Sequence, residues 1–285
     1  MKKSFITICL LFVFCLTTAA AAKVEKVWLR TQDGWDLATG YIAAKPGKKT
    51  AILLHDAGKK RQSFQTFASS LESQGFGYLV LDLRGHGESV NLGRYASFAK
   101  EGVDNDYNKM TRDVNAAMEY LSKKKIAEQD IVLIGVGMGG NVAAKAASLW
   151  PDIGGVAMIN PVVNYRDILP VPALRVYKGP VFIAAAADDK KTFLEASVLR
   201  NVAFLSSGEG QVTFASAYDK KGHELLDVWA MAELLQWMQT PVKPEVAPDA
   251  AIITPEEETP AAPVESVSQP EAQTASEPLI PSVLF

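Results

Sequence analysis

The chain has 285 residues, and its 29 Lys and Arg against 32 Asp and Glu give a formal net charge of −3. Because the sequence has no strongly basic segment, nucleic acid is a poor candidate partner. Only two cysteines and three histidines are present, and their spacing matches no metal-ligand pattern. We therefore expect neither a metal nor a cofactor.

Residues 1–22 have the pattern of a bacterial secretory signal peptide. Lys2 and Lys3 precede an apolar run, and small residues suited to cleavage follow that run. The run is short for a membrane span, although an uncleaved anchor remains an alternative. Both cysteines, Cys9 and Cys15, lie in this segment, so the mature chain would contain no thiol. The sequence thus predicts a periplasmic or secreted protein.

The composition divides the remaining chain at about residue 240. Residues 23–240 are long enough to bury the core of one globular domain. Residues 241–285 contain nine of the fifteen prolines and eight acidic residues against one lysine, Lys243. A segment of this kind has no apolar periodicity to drive packing, so we expect a disordered acidic tail.

In chain order, the predicted elements of residues 23–240 alternate between strands and helices. A hairpin opens the domain, and its turn contains Asp33 and Gly34. The predicted strands are 26–31, 35–44, 50–55, 78–83, 155–159, 181–187 and 211–217, together with one that begins at 131 and leads into a glycine-rich turn. The predicted helices are 62–74, 110–123, 142–147 and 223–238. Such alternation indicates a mostly parallel sheet with helices on both faces.

The most informative stretch is 131–147, where a buried strand passes through a glycine-rich turn into a helix. That context is typical of a nucleophile elbow with the pattern G-x-S-x-G. Gly135 and Gly139 stand at the two glycine positions, but the middle position is Gly137. Glycine accepts the strained backbone of such a turn and supplies no attacking atom.

The same glycines also fit a dinucleotide-binding pattern. Gly135, Gly137 and Gly140 match G-x-G-x-x-G, which is a weak signal alone. No acidic residue follows at a strand end about 20 residues later, where that function needs one. Nucleotide binding is therefore the less favoured interpretation.

Several motifs around this turn occur in the order that one enzyme family uses. The chain from about residue 34 to 237 resembles the α/β-hydrolases, and especially the small lidless esterases, lysophospholipases and dienelactone hydrolases. The matching motifs are LLHDAG at 53–58, LDLRGHGES at 81–89, the turn just described, Asn160-Pro161, Ala187-Asp188-Asp189 and Gly222-His223. The resemblance implies an α/β-hydrolase fold with a mostly parallel central sheet, helices on both faces and no large cap domain.

The resemblance also assigns roles to individual residues. His223 would be the catalytic base and Asp189 the acid that orients it, with Asp188 as the near alternative. Backbone N–H groups of Met138 and of the loop near Asp56 or Ala57 would form the oxyanion hole.

Besides Gly137, a second residue departs from that pattern, because Asp56 stands where many relatives have glycine. Its carboxylate would oppose negative charge in the hole, or it would turn toward Lys59, Lys60 or Arg61. His55, Arg84 and His86 are interpreted as structural.

Three functions remain open for a chain with glycine at position 137. The first is a pseudo-hydrolase that binds a small ester-like ligand or a protein partner. The second is a slow ester or acyl hydrolase in which His223 and Asp189 activate a water. The third is a scaffold that acts through its Pro-rich tail. The sequence leaves the oligomeric state open.

Overall fold

The structure is a computed structural model that describes residues 23–218, 220 and 222–239. Its centre is an eight-stranded sheet with the strand order β1-β2-β4-β3-β5-β6-β7-β8. Strands β3 to β8 run parallel, whereas β1 and β2 pair antiparallel with each other and β2 pairs antiparallel with β4. The strands are β1 Glu25–Arg30, β2 Asp36–Ile42, β3 Thr50–Leu54, β4 Gly77–Leu81, β5 Ile131–Val136, β6 Gly155–Ile159, β7 Val181–Ala186 and β8 Val212–Ala217.

Helices cover both faces of this sheet. They are α1 Gln65–Ser73, α2 Thr111–Lys123, α3 Met138–Ala147, α4 Pro170–Val176, α5 Lys190–Ser207 and α6 Met231–Gln239. Buried residues of α2, α3, α4 and α5 join one apolar core, while those of α1 and α6 join a second core on the opposite face. Strands β3 to β7 are buried along their whole length because apolar side chains meet both cores.

The predicted fold class is confirmed: the sheet is mostly parallel, and the described residues contain no large cap domain. Two helices, α4 and α5, were not predicted. The segment predicted as one helix over 223–238 contains a π-helical stretch, Leu225–Ala230, before α6 begins. The predicted signal peptide and the predicted acidic tail both lie outside the described residues.

Within the described part of the chain, no helix combines the length and the apolar character needed to span a membrane.

A buried ion-pair network fixes the loop that follows β4. The Arg84 side chain is fully buried, and its guanidinium donates to Asp113 on α2 at 2.8 Å and to Asp33 in the β1–β2 turn at 2.8 Å. Asp113 also accepts from the Arg84 backbone N–H at 2.8 Å. The interpretation of Arg84 as a structural residue agrees with this geometry, since the network joins three distant segments.

A second carboxylate organises the same loop. Asp82 accepts from the backbone N–H groups of Arg61 and Glu88 at 2.7 and 2.9 Å, and it also pairs with the Arg61 guanidinium. Ser89 is buried, donates to the Asp82 carbonyl at 2.7 Å and accepts from Ala38 N–H at 2.9 Å. The Ser89 hydroxyl therefore makes both of these hydrogen bonds to backbone groups, one in the loop and one in β2.

Candidate active site

Gly137 lies at the turn between β5 and α3, where the elbow was predicted. Its backbone has φ 52° and ψ −119°, a conformation that glycine adopts more readily than other residues. The Gly137 N–H donates to Ile159 O at 2.8 Å, which ties the turn to the end of β6. The turn therefore keeps the sharp geometry of an elbow, with a hydrogen atom as its only side chain.

The two backbone donors expected near this turn converge on one atom. Asp56 Oδ1 accepts from Ala57 N–H at 2.8 Å and from Met138 N–H at 2.9 Å. Such a pair of amides could hold a developing oxyanion in acyl transfer. Here a permanent carboxylate oxygen occupies that place. Of the two orientations left open for Asp56, the structure has the one directed into the donor pair.

The same carboxylate fills the space that a side chain at position 137 would need. A Cβ built on Gly137 would overlap Asp56 Oδ1 and Cγ and would lie 2.7 Å from Oδ2. Contacts this close do not occur between real atoms, so any larger residue at 137 requires Asp56 to move. Asp56 and Gly137 are thus sterically coupled, although one follows β3 and the other follows β5.

His55 positions this aspartate. The buried His55 ring bonds the Asp56 carbonyl through Nδ1 at 2.8 Å and accepts from Leu83 N–H through Nε2 at 3.0 Å. Because Nε2 accepts, the ring is neutral with its proton on Nδ1. Burial lowers the pKa of His55 to about 3, which keeps this tautomer at neutral pH. The predicted loop-shaping role of His55 agrees with this geometry, and the bond to the Asp56 carbonyl is the part that the sequence did not indicate.

This neutral histidine predicts loss of stability in acid. An unfolded His55 takes up a proton below about pH 6.5, whereas the folded ring stays neutral down to about pH 3. Stability should therefore be complete above pH 6.5 and should fall as the pH drops toward 3, by up to about 1.4 kcal/mol per pH unit for this one proton. Urea unfolding at pH 7, 6 and 5 measures the slope. His55→Gln should make the slope shallower, and an unchanged slope would contradict the assignment.

His223 lies against the loop that follows β3. Its ring meets Phe64 edge to face, with centroids 4.7 Å apart. Neither ring nitrogen has a hydrogen-bond partner among the described residues. Burial and the charge of Lys59 lower the pKa of His223 to about 4. The ring is therefore neutral at pH 7.

Asp189, the predicted acid, caps helix α5. Its carboxylate accepts from Thr192 N–H at 3.2 Å and from Thr192 Oγ1 at 3.0 Å. Asp188 lies just before this cap. The structure thus brings Asp56, Ala57, Gly137 and Met138 together, whereas it shows no hydrogen bond between Asp189 and His223. Such a cap is a common role for aspartate at a helix start, and it explains the Asp-x-x-Thr spacing.

No cluster of three or more His, Cys, Asp or Glu side chains suited to a metal ion occurs in the described part of the chain.

Comparison with known proteins agrees with this architecture. The family described as "Serine aminopeptidase, S33" matches residues 45–244. Two relatives named protein phosphatase methylesterase 1 also match, one from Candida albicans and one from Schizosaccharomyces pombe. The first is 32% identical over 38% of this chain, and the second is 27% identical over 43% of it. The matched regions span only 28% and 36% of those relatives' own lengths.

Among solved structures, the esterase Pf2001 of Pyrococcus furiosus superposes with a TM-score of 0.63. It is 17% identical, and the match covers 76% of this chain and 92% of the esterase. At this identity the similarity shows the fold alone. The family match covers most of the domain and agrees with the strand order and the elbow turn, so this chain belongs to the serine aminopeptidase S33 family of the α/β-hydrolases.

Proposed function

We propose that this chain is a pseudo-hydrolase: an α/β-hydrolase-family protein that does not carry out serine-type acyl transfer and instead binds a small ligand or a protein partner. The proposal depends mainly on one observation. Asp56 Oδ1 accepts from both Ala57 N–H and Met138 N–H, so the donor pair is already saturated by a carboxylate.

The chemistry of acyl transfer explains why this matters. The reaction needs an attacking atom and a pair of donors that receive charge only as the transition state forms. Gly137 supplies no attacking atom. A substrate carbonyl would also have to displace Asp56 from its donors and would then develop negative charge beside that carboxylate. Both effects raise the barrier.

The slow-hydrolase alternative has less support. A general base works best when its pKa lies near the working pH, and a base with a pKa of about 4 accepts protons weakly at neutral pH. The Asp189 carboxylate accepts from Thr192, and no described residue hydrogen-bonds the His223 ring to orient it. The scaffold alternative rests on residues 241–285, which lie outside the described residues.

The names of similar proteins suggest a first ligand class to test. The names of the relatives and of the fold neighbour refer to esterases, so an ester-like small molecule is the first ligand to test. We also retain the proposals of export through residues 1–22 and of a periplasmic or secreted location. Sequencing the N-terminus of the protein recovered from the periplasm or the medium tests both.

Wild-type protein should not react with serine-hydrolase probes. We expect no mass increase after incubation with a fluorophosphonate, because no activated hydroxyl lies at the elbow. Turnover of p-nitrophenyl acetate should equal that of the His223→Ala variant. A covalent adduct at any residue would overturn the proposal, and turnover that depends on His223 without an adduct would favour the water mechanism instead.

A further inference from the structure

A cavity near the candidate site plays no part in the chemistry considered so far. It has a volume of about 290 Å³ and lies between the loop that follows Asp56 and the loop that follows β4. Three cationic side chains, Lys59, Lys60 and Arg94, contribute to its lining. Uncharged polar groups of Ser63, His86 and Tyr95 complete the polar wall.

The three cations have no anionic partner among the described residues. Neighbouring Arg61 shows the contrast, because it pairs with Asp82 and with Glu88 at 2.5 Å. No such pair involves Lys59, Lys60 or Arg94 in the part of the chain that the structure describes. Three cations without a salt-bridge partner around one small cavity create a local positive potential.

The inner wall of the cavity contains His86, a buried histidine with one ring nitrogen that lacks a hydrogen-bond partner among the described residues. The His86 side chain is only 2% exposed, and its Nδ1 donates to Arg84 O at 2.9 Å. Its ring stacks on Tyr95 with centroids 4.2 Å apart. His86 Nε2 is buried and has no hydrogen-bond partner among the described residues. A buried polar atom of this kind needs an explanation, and a ligand that brings a donor would provide one.

We propose that this cavity binds a phosphate group. A phosphate dianion would neutralise two of the three cations, whereas a carboxylate would neutralise only one. Lysine ammonium and arginine guanidinium groups both bind phosphate well, and the Ser63 and Tyr95 hydroxyls add donors. A phosphate that retains one proton also carries an O–H that could donate to an acceptor such as His86 Nε2. The volume lies near the lower limit for ligand pockets, so it suits a phosphate headgroup and not a large ligand.

This proposal rests on the proposed function, because it suggests which chemical group of a bound ligand the protein would recognise. If the elbow does not turn over esters, a phosphate bound beside it would anchor a ligand that the protein holds without cleaving it. The two proposals fail separately, because phosphate binding is measured without any ester or covalent probe.

Calorimetric titration of the intact wild-type protein with inorganic phosphate at low salt tests the site. We expect saturable binding that weakens about tenfold in Lys60→Ala and again in Arg94→Ala, since each removes one charge-assisted contact. Both side chains are exposed, so neither change should unfold the protein. Lys48→Ala is the control, because this partly buried lysine lies over Phe76 instead, and the variant should bind like wild type.

Two further measurements locate the site and the source of the phosphate. The chain has three histidines, and phosphate should cause the largest shift in the imidazole NMR signal that disappears in His86→Gln. Binding to phosphatidylcholine vesicles is measured with and without phosphatidic acid, to distinguish a lipid headgroup from free phosphate. Binding to inorganic phosphate or to the phosphatidic acid vesicles supports the site if Lys60→Ala weakens it. Absence of binding to both, or equal weakening by Lys48→Ala, would overturn the proposal.

Discussion

Restoring a nucleophile at the elbow should require two substitutions and not one. Gly137→Ser alone should stay unreactive toward a fluorophosphonate, because its Cβ would overlap the Asp56 carboxylate. Asp56→Gly alone should also be unreactive, since it empties the donor pair without adding an attacking atom. The double variant Asp56→Gly/Gly137→Ser should become labelled at residue 137, and intact-mass spectrometry after probe treatment measures this.

A matched control variant distinguishes the effect of the size of the side chain at position 56 from the effect of its charge. Asp56→Asn/Gly137→Ser removes the negative charge but keeps a side chain of nearly the same size over residue 137, so it should remain unlabelled. Labelling of Gly137→Ser by itself would show that Asp56 moves away easily, and the proposed blockade would then be wrong. If the double variant folds and is not labelled, the loss of reactivity also involves the placement of His223.

The buried ion pair below the site should have the largest effect on stability. Asp113→Ala should lower the free energy of unfolding by about 3–5 kcal/mol, because Arg84 stays fully buried and loses its main partner. Urea unfolding measures this at pH 7. Replacing the pair together, as Arg84→Met/Asp113→Leu, should recover much of the loss, since both charges then disappear from the interior.

The exposed pair Arg30–Asp36 is the control for that measurement. Its side chains are 64% and 42% exposed, so Arg30→Ala should change the unfolding free energy by less than about 1 kcal/mol. An effect of Asp113→Ala no larger than that of Arg30→Ala would show that Asp33 alone is enough to neutralise Arg84.

Much of this fold could be predicted from local patterns. The strands at the sheet centre are continuous apolar runs between turn residues. Each strand that was predicted with both bounds lies within two residues of an observed one at each end. Helix α5 was missed because apolar side chains occur around its whole circumference. Leu194, Val198 and Leu205 are exposed while Ala196 and Leu199 are buried, so the sequence shows no clear helical stripe.

The candidate site was predictable in its composition but not in its contacts. The elbow pattern identified Gly137, and the resemblance to α/β-hydrolases placed the donors at Met138 and in the loop near Asp56 or Ala57. The direction of Asp56 depends on a hydrogen bond to a residue 82 positions away, which no local pattern encodes. The motif order suggested that Asp189 would serve His223, whereas the Asp189 carboxylate is bound to Thr192 at the start of α5.

The overlap between Asp56 and any side chain at position 137 also has a historical consequence. A lineage that gained serine at 137 while it kept aspartate at 56 would need the Asp56 carboxylate to leave its present position. Replacing aspartate first avoids that crowding, and aspartate at 56 is accommodated most easily when 137 is glycine. The effect of each of these two substitutions therefore depends on which one comes first.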